Sequence, residues 1–593
     1  ASYGQEYSYT KVLEGSKTQT NPEGIIISSG VAEYEPLIGN EENPLRQPLA
    51  YKVENWMIPD NSYYVETPVG ESFYPSASVG YSEIKIKSIQ PGSGYIKHEF
   101  YTARDFPVFT EHTIVQKKPD KPKLRERLLK FSTKDALTVS QGHVIKLNNM
   151  HGQKKATWVY AEGEDRPISG QEFFYRTEKN NMYALDNSIT AINKKGKIHK
   201  ITVGMESDFV ADMRQHITES WSLDIEGEID TSPTPAFGIP FPLPSIVPRY
   251  AYASTKFKSA TVTKVITKYG IMNKVVSYDL GSRVSVENIA YDAETGDVLL
   301  TKTENNFNDP VYSFTYPAHW TYDQMGMAYK NLGIKINGAT LKDGRLTLSE
   351  EDHKKFFVRG DEVIISGSNK RLWIKSVDPV GGDLIVKLMD IKGDAPADVN
   401  NVTLTIARSG RRNMQSTPVG TITLLENPIT EDDNLLFDKI VAANATMFSD
   451  DWPDYCECGI NNGKMGNVSD PTIDGTKIGF VPHGNYYVQG AAGNWKAKRN
   501  YVFIAERNSS KENRNLNIRK DGTYTQFDPF WKPNDGKDWS PNKSNWAWTT
   551  EVSKVSPFGF EIENRDSLNN FSSALFGYSN TLAIAVAQNS QYK

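Results

Sequence analysis

Apolar and polar residues alternate along much of the chain, the two-residue period of strands that cover one face. The clearest run is Ser82-Glu-Ile-Lys-Ile-Lys-Ser-Ile89, which sets Ile84 and Ile86 on one side and Lys85 and Lys87 on the other. The same pattern predicts strands from Ala136 onward, at Trp158-Val-Tyr160 and at Phe173-Phe-Tyr175, with a turn at Lys194-Lys-Gly196. Residues 260–268 and 272–278 read as the strongest strand pair. Residues 284–291 and 298–302 follow as strands on either side of a Glu294-Thr-Gly-Asp297 turn. One helix is expected, over 321–332. Thr321 and Gln324 form a capping-box pattern, Met325, Ala328, Tyr329 and Leu332 share a face, and Gly333 is the stop.

Breaks in this pattern divide the chain into six segments. A β-rich part at 1–120 ends at the basic, Pro-containing Lys117-Lys-Pro-Asp-Lys-Pro-Lys123, read as an exposed linker, and a β-rich segment follows over 121–230. Six prolines then fall between Thr231 and Pro248. Proline donates no amide, so 231–250 is read as an extended apolar strap, not a central strand, with Phe237, Ile239, Phe241 and Leu243 expected to be buried. Hairpins and the short helix occupy 251–333. Residues 334–412 read as a small inserted β-barrel, with a tight turn at Asp343-Gly344 and strands within 356–365, 371–375, 384–388 and 402–406. An aromatic-rich β region, 413–593, closes the chain. The fold class expected is mainly β: an elongated antiparallel framework, shell- or stalk-like, with an inserted barrel and few short helices.

Composition supports that class. Of 593 residues, 38% are apolar, and 11 Trp, 30 Tyr and 25 Phe supply much of that share; 43 Gly and 31 Pro punctuate it. The net charge of −5 gives no electrostatic case for binding nucleic acid. The longest apolar runs, such as 581–587, reach about seven residues against the ~18–20 a membrane-spanning helix needs, so no transmembrane segment is expected. The chain opens at Ala1 without an initiator Met or a signal-like stretch, which reads as a removed signal or a piece of a longer polypeptide. Its two cysteines, Cys456 and Cys458, are too close for an unstrained disulfide and too few for a zinc site.

Several strings carry a resemblance together: Tyr3-Gly-Gln-Glu-Tyr7, Ile27-Ser-Ser-Gly-Val-Ala-Glu-Tyr-Glu-Pro36, Pro75-Ser-Ala-Ser-Val-Gly-Tyr-Ser82 and Glu206-Ser-Asp-Phe-Val-Ala-Asp-Met-Arg214. Asn288-Ile-Ala-Tyr-Asp-Ala-Glu-Thr-Gly-Asp-Val-Leu-Leu300, Tyr316-Pro-Ala-His-Trp320, Gly493-Asn-Trp495 and Asn517-Ile-Arg-Lys-Asp-Gly522 extend it along nearly the whole chain. The chain resembles the conserved-type region of very large secreted surface proteins of Gram-negative bacteria, related to RHS/YD-repeat proteins. The resemblance implies a secreted or cell-surface location. The partners it implies are further domains of the same polypeptide and a secretion or outer-membrane complex. True YD repeats form long arrays, whereas here Tyr278-Asp279 and Tyr291-Asp292 form one convincing pair.

The chemistry-bearing motifs are few. The sequence holds no HExxH, GxSxG, P-loop or GxGxxG pattern, and none of its nine histidines stands four residues from another. Arg359-Gly-Asp361 spells an adhesion tripeptide, but its apolar flanks place it at a strand edge. Asp450, Asp451 and Asp454 gather oxygen ligands around one turn and are the metal candidates, with calcium the one cofactor considered. Ser567, in Asp566-Ser567-Leu568, matches a short bacterial O-glycan acceptor pattern. Five of the eleven tryptophans crowd into 495–548, and Trp531, Trp539, Trp546 and Trp548 are the candidate glycan-binding residues. If they bind, Trp546 and Trp548, two apart on one strand face, should be exposed and coplanar. The function expected is a non-catalytic structural segment, shell or stalk, of a giant exported surface protein. The alternatives are a glycan-binding adhesion module and an RHS-like shell enclosing a toxin or other effector.

Overall fold

The computed structural model describes residues 4–592 except 20, 34–48, 54–60, 66–76, 91, 115, 121–131, 231–242, 307–308, 349–354, 368–369, 412–416, 451–484, 489–491, 506, 509–522, 525, 535–536, 557–559 and 579–581. Among the described residues strands predominate and helix is confined to three short turns, so the protein is almost all β. Its residues divide into two compact units: 1–188 with 202–284, and 189–201 with 285–593.

In the first unit, six strands pair antiparallel in the order Gln5–Ser8, Glu83–Ser88, Tyr95–Phe100, Lys154–Tyr160, Pro167–Tyr175 and Met272–Asp279. A second sheet of five strands is built on a ribbon: Met205–Asp230 pairs antiparallel with Leu243–Lys268, which runs parallel to Ser132–Asn148. Phe109–His112 and Gln116–Asp120 both pair with Ser132–Asn148.

Three expectations change here. Residues 260–268 and 272–278 are strands, but they belong to different sheets and not to one hairpin. Between them Gly270 turns a corner, held by a hydrogen bond from its N–H to Asn149 Oδ1 (2.7 Å). A Cβ at Gly270 would sit 2.3 Å from Met150 Sδ, so only glycine lets the chain pass this close. The basic linker begins as a strand: among the described residues Gln116–Asp120 pairs on one side, with Ser132–Asn148, an edge position that tolerates Pro119. The proline run likewise ends in a strand. Leu243–Pro248 pairs with Met205–Asp230 beyond the reach of Ser132–Asn148, whose pairing starts at Tyr252, so Pro244 and Pro248 lie on a stretch with one neighbour among the described residues. Of the four residues expected to be buried, Phe237, Ile239 and Phe241 lie outside the described residues, and Leu243 opens that strand.

In the second unit, ten strands from Ser282–Asp292 to Leu582–Gln588 pair antiparallel, each with its predecessor in the series. The predicted barrel interrupts the chain but not the ladder. Val311–Pro317 and Pro418–Leu424 flank it in sequence and pair with each other, from Tyr312–Leu424 to Pro317–Pro418. The barrel closes through six strands: Lys335–Lys342, Arg345–Leu348, Asp383–Met389, Arg371–Val380, Glu362–Ile365 and Val399–Arg408. Asp343 and Gly344, with φ of 50° and 68°, make the predicted tight turn. Inward positions such as Leu341, Val363, Ile374, Val386 and Ile406 form a core of its own.

The expected 321–332 helix is broken into an α-turn at Ala318–Thr321 and 3-10 turns at Asp323–Met325 and Ala328–Lys330. Thr321 ends the first turn and caps nothing, while Tyr322 and Gly326 adopt extended backbone between the turns. Trp320 and Met325 are thereby driven into the core beside Phe314. Because the barrel carries a separate core, a fragment covering residues 328–411 is expected to fold alone. Far-UV circular dichroism with a cooperative urea transition would establish this, and a non-cooperative melt would refute it.

Candidate functional site

The clustered tryptophans converge on the core of the second unit. Trp531 is only 4% exposed; its ring lies against Phe530 and Tyr322, and its Nε1 donates to the Val419 carbonyl at 3.0 Å. Trp546, 8% exposed, packs on Phe503, Phe527 and Phe530 and donates to the Asp528 carbonyl at 3.0 Å. Trp539, half-buried, meets Tyr316 and Trp320 with ring centroids 6.0 and 5.9 Å away. These contacts are tilted or edge-to-face, the arrangement that aromatic quadrupoles favour inside cores. The exposed coplanar pair of Trp546 and Trp548 does not form, because the face of Trp546–Val555 that carries Trp546 is covered by residues 527–531.

Trp548 differs. Its half-buried ring lies under the guanidinium groups of Arg499 and Arg565, at 5.2 and 5.8 Å from the centroid. Both arginines also reach Glu551, Arg499 at 2.6 Å and Arg565 through two nitrogens at 2.9 and 2.7 Å. The register explains the knot: Glu551 is the cross-strand neighbour of Arg499 on one side and of Arg565 on the other. Burial pulls the Glu551 carboxyl upward, but the hydrogen bonds from Arg565 and Arg499 outweigh it and hold the group below its ordinary range.

Glu551 and Arg565 also line an open cavity of about 500 Å³ with Lys496, Lys498, Lys554 and Glu563. Glu563 is buried at its edge, accepting from Ser553 Oγ (2.7 Å), Lys554 Nζ (3.2 Å) and the Tyr592 amide (2.7 Å). The pocket is lined by paired charges, and a polar, multiply charged molecule is the ligand its chemistry would fit. Nothing in the sequence pattern marked it, because its residues come from five strands and a following segment spread over 449–591.

The other sequence candidates are dispersed. Asp450 is buried and ion-paired with Arg359, so its carboxylate is occupied by a guanidinium; Asp451 and Asp454 lie outside the described residues, as do Cys456 and Cys458. Ser567 is exposed at the hairpin tip between Glu561–Asp566 and Phe571–Gly577, where Asp566 accepts from the Leu568 and Asn570 amides. The adhesion tripeptide is dismantled, since Asp361 is fully buried at the barrel end.

Sequence reading also passed over Asp292, the acidic half of Tyr291-Asp292. It is fully buried, accepting from Trp320 Nε1 (2.7 Å), His319 Nε2 (3.1 Å) and the Thr295 amide (2.8 Å). Burial raises its pKa, yet His319, Thr295 and Trp320 together hold it below the ordinary value. The Tyr-Asp and Pro-Ala-His-Trp strings thus meet in one buried hub, which stitches a strand end to the α-turn.

No family model matches the chain, and no curated protein matches it. Among solved structures, it is similar to the crystal structure of TcdB2-TccC3 without hypervariable C-terminal region, at 7% identity and a TM-score of 0.22. It is also similar to the crystal structure of TcdB2-TccC3 (8%, TM-score 0.20) and to a Photorhabdus luminescens Tc holotoxin pore (7%, TM-score 0.21). Each match covers 86% of this chain but only 19%, 20% and 19% of the other, so the chain spans about a fifth of those chains. Scores at this level assign neither a family nor a residue role.

Proposed function

We propose that the chain is a non-catalytic structural segment, a shell or stalk, of a giant exported cell-surface protein, with further domains of the same polypeptide as its partners. The observation carrying this reading is the ten-strand antiparallel ladder of the second unit. Its most chemically expressive side chains, Trp531, Trp546, His319 and Asp292, are spent on its own core. Such a ladder offers rigid area. Enclosure of an effector by that area is the finer form of the same reading.

Glycan binding is the second reading, and Trp548 beside the charged cavity is the observation that favours it. An array of bacterial and host glycans probed with the full chain separates the two. The structural reading expects no binding that depends on Trp548. Saturable binding that disappears in Trp548→Ala, with the fold retained, would replace it with the adhesion module.

A further inference from the structure

Met205–Asp230 and Leu243–Lys268 pair residue for residue over 26 positions, from Met205–Lys268 to Asp230–Leu243. From Met205 to Ile225 this edge strand is largely two-sided, with Ser207, Gln215 and Glu219 interrupting the apolar side and Val210 the polar one. Odd positions carry Phe209, Met213, Ile217, Trp221, Leu223 and Ile225, and even positions carry Glu206, Asp208, Asp212, Arg214, His216 and Asp224. The apolar row faces solvent: Phe209 is 69% exposed, Met213 80% and Trp221 72%. From Phe209 to Ile225, at ~3.3 Å per residue, the row runs for roughly 50 Å. An exposed apolar face this continuous marks an interaction surface.

The register settles what else lies on that face. Lys264 stands opposite Phe209, Lys256 opposite Ile217 and Lys258 opposite Gln215, while Tyr252 stands opposite Trp221. Lys264 Nζ lies 5.2 Å from the Phe209 ring centroid. The face carries Glu219 on the edge strand and, beyond Val144, Glu111, which is paired with Lys146 at 3.0 Å, whereas Glu206, Asp208, Asp212 and Asp224 occupy the other side of the edge strand. Apolar row and cationic row therefore share one face, on which lysines outnumber carboxylates, while most acidic residues of the edge strand lie on the other.

We propose that this face of the ribbon docks on an anionic lipid surface, with the apolar row and Trp221 in the interface and Lys256, Lys258 and Lys264 against headgroup phosphates. A second copy of the chain presenting the same face would bring lysine against lysine, whereas phosphates complement them. The ribbon lies on the bilayer and does not cross it, because Met205–Asp230 has no outer ladder partner among the described residues and hydrocarbon cannot satisfy the backbone groups of such an edge. The reverse face of the sheet is covered, since Leu137, Val139, Ile145, Ser259, Thr261 and Thr263 on it are buried, which leaves the apolar and cationic side to be presented.

Flotation of the full chain with vesicles of phosphatidylcholine and phosphatidylglycerol, against phosphatidylcholine alone, tests this. Co-flotation with the anionic vesicles, weakened by salt, is expected. Phe209→Ser with Met213→Ser and Trp221→Ser should lower partitioning by roughly a hundredfold, and Lys256→Glu with Lys264→Glu should abolish the preference for anionic lipid. The three serine sites are exposed and the two lysines half-buried at the surface, so circular dichroism of both variants should match the parent. Should the serine variant misfold, the lysine variant and the change in vesicle-induced fluorescence on Trp221→Phe read the same face. Three outcomes overturn the proposal: no flotation of the parent, flotation unchanged in folded variants, or concentration-dependent self-association of the parent without vesicles that the serine substitutions relieve.

Discussion

Trp531→Ala is expected to destabilise the second unit by about 3–5 kcal/mol, the cost of deleting a large buried aromatic. Trp531 touches Phe530 and Tyr322 inside the core and also satisfies the Val419 carbonyl, so truncation leaves both a cavity and an orphaned acceptor. Val419 belongs to Pro418–Leu424, the strand on which the ladder resumes after the barrel, so the loss falls where the insertion is stitched in. Trp548→Ala removes a half-buried ring and two cation–π contacts, with an expected cost of about 1–2 kcal/mol. Urea denaturation monitored by tryptophan fluorescence should shift the Trp531→Ala midpoint much further than the Trp548→Ala midpoint. Equal shifts would mean that the two rings carry similar loads, contrary to their burial.

The contrast between these two tryptophans shows what a two-residue period encodes. Alternation in Trp546-Ala-Trp548 placed both rings on one face of a strand, but it could not say that residues 527–531 fold back over the first ring alone. Partner choice is equally invisible to it. Residues 260–268 and 272–278 look like a hairpin because both alternate cleanly, and the decisive residue is Gly270, which steers the chain past Met150 into another sheet. The barrel was legible because its strands are short and its turns carry their own chemistry, as at Asp343-Gly344. The helix at 321–332 was misread because capping and periodicity are local signals. The burial of Trp320 and Met325, and the Asp292 bonds to His319 and Trp320, impose broken turns that no local pattern reports. The charged cavity at Glu551 was illegible for the same reason, since antiparallel register assembles it from five strands.

Asp361 is expected to titrate well above an ordinary aspartate and to make the barrel less stable as pH rises. Its side chain is fully buried. Oδ1 accepts from the Gly410 amide at 2.6 Å and Oδ2 from the Val358 amide at 2.9 Å, while Asn331 Nδ2 reaches both oxygens at 2.9 and 3.0 Å. Gly410 is required for this closeness, because a Cβ there would sit 2.2 Å from the Arg359 carbonyl. Burial pushes the carboxyl up to about 6, against the downward pull of these donors and of Arg411. A folded value above the unfolded value of ~4 means that folding takes up a proton. The stabilisation is complete below about pH 4 and is lost as pH rises through about 6, a change of about 3 kcal/mol at ~1.4 kcal/mol per pKa unit. Asp361→Ala should remove this pH dependence and, by stranding the Val358, Gly410 and Asn331 donors, lower stability by about 2–4 kcal/mol near pH 4, a deficit that shrinks as pH rises. Urea midpoints of parent and variant, measured between pH 4 and pH 7, should therefore converge as pH rises. Parallel curves would show that Asp361 keeps its charge in the folded barrel, and that its four hydrogen bonds outweigh its burial.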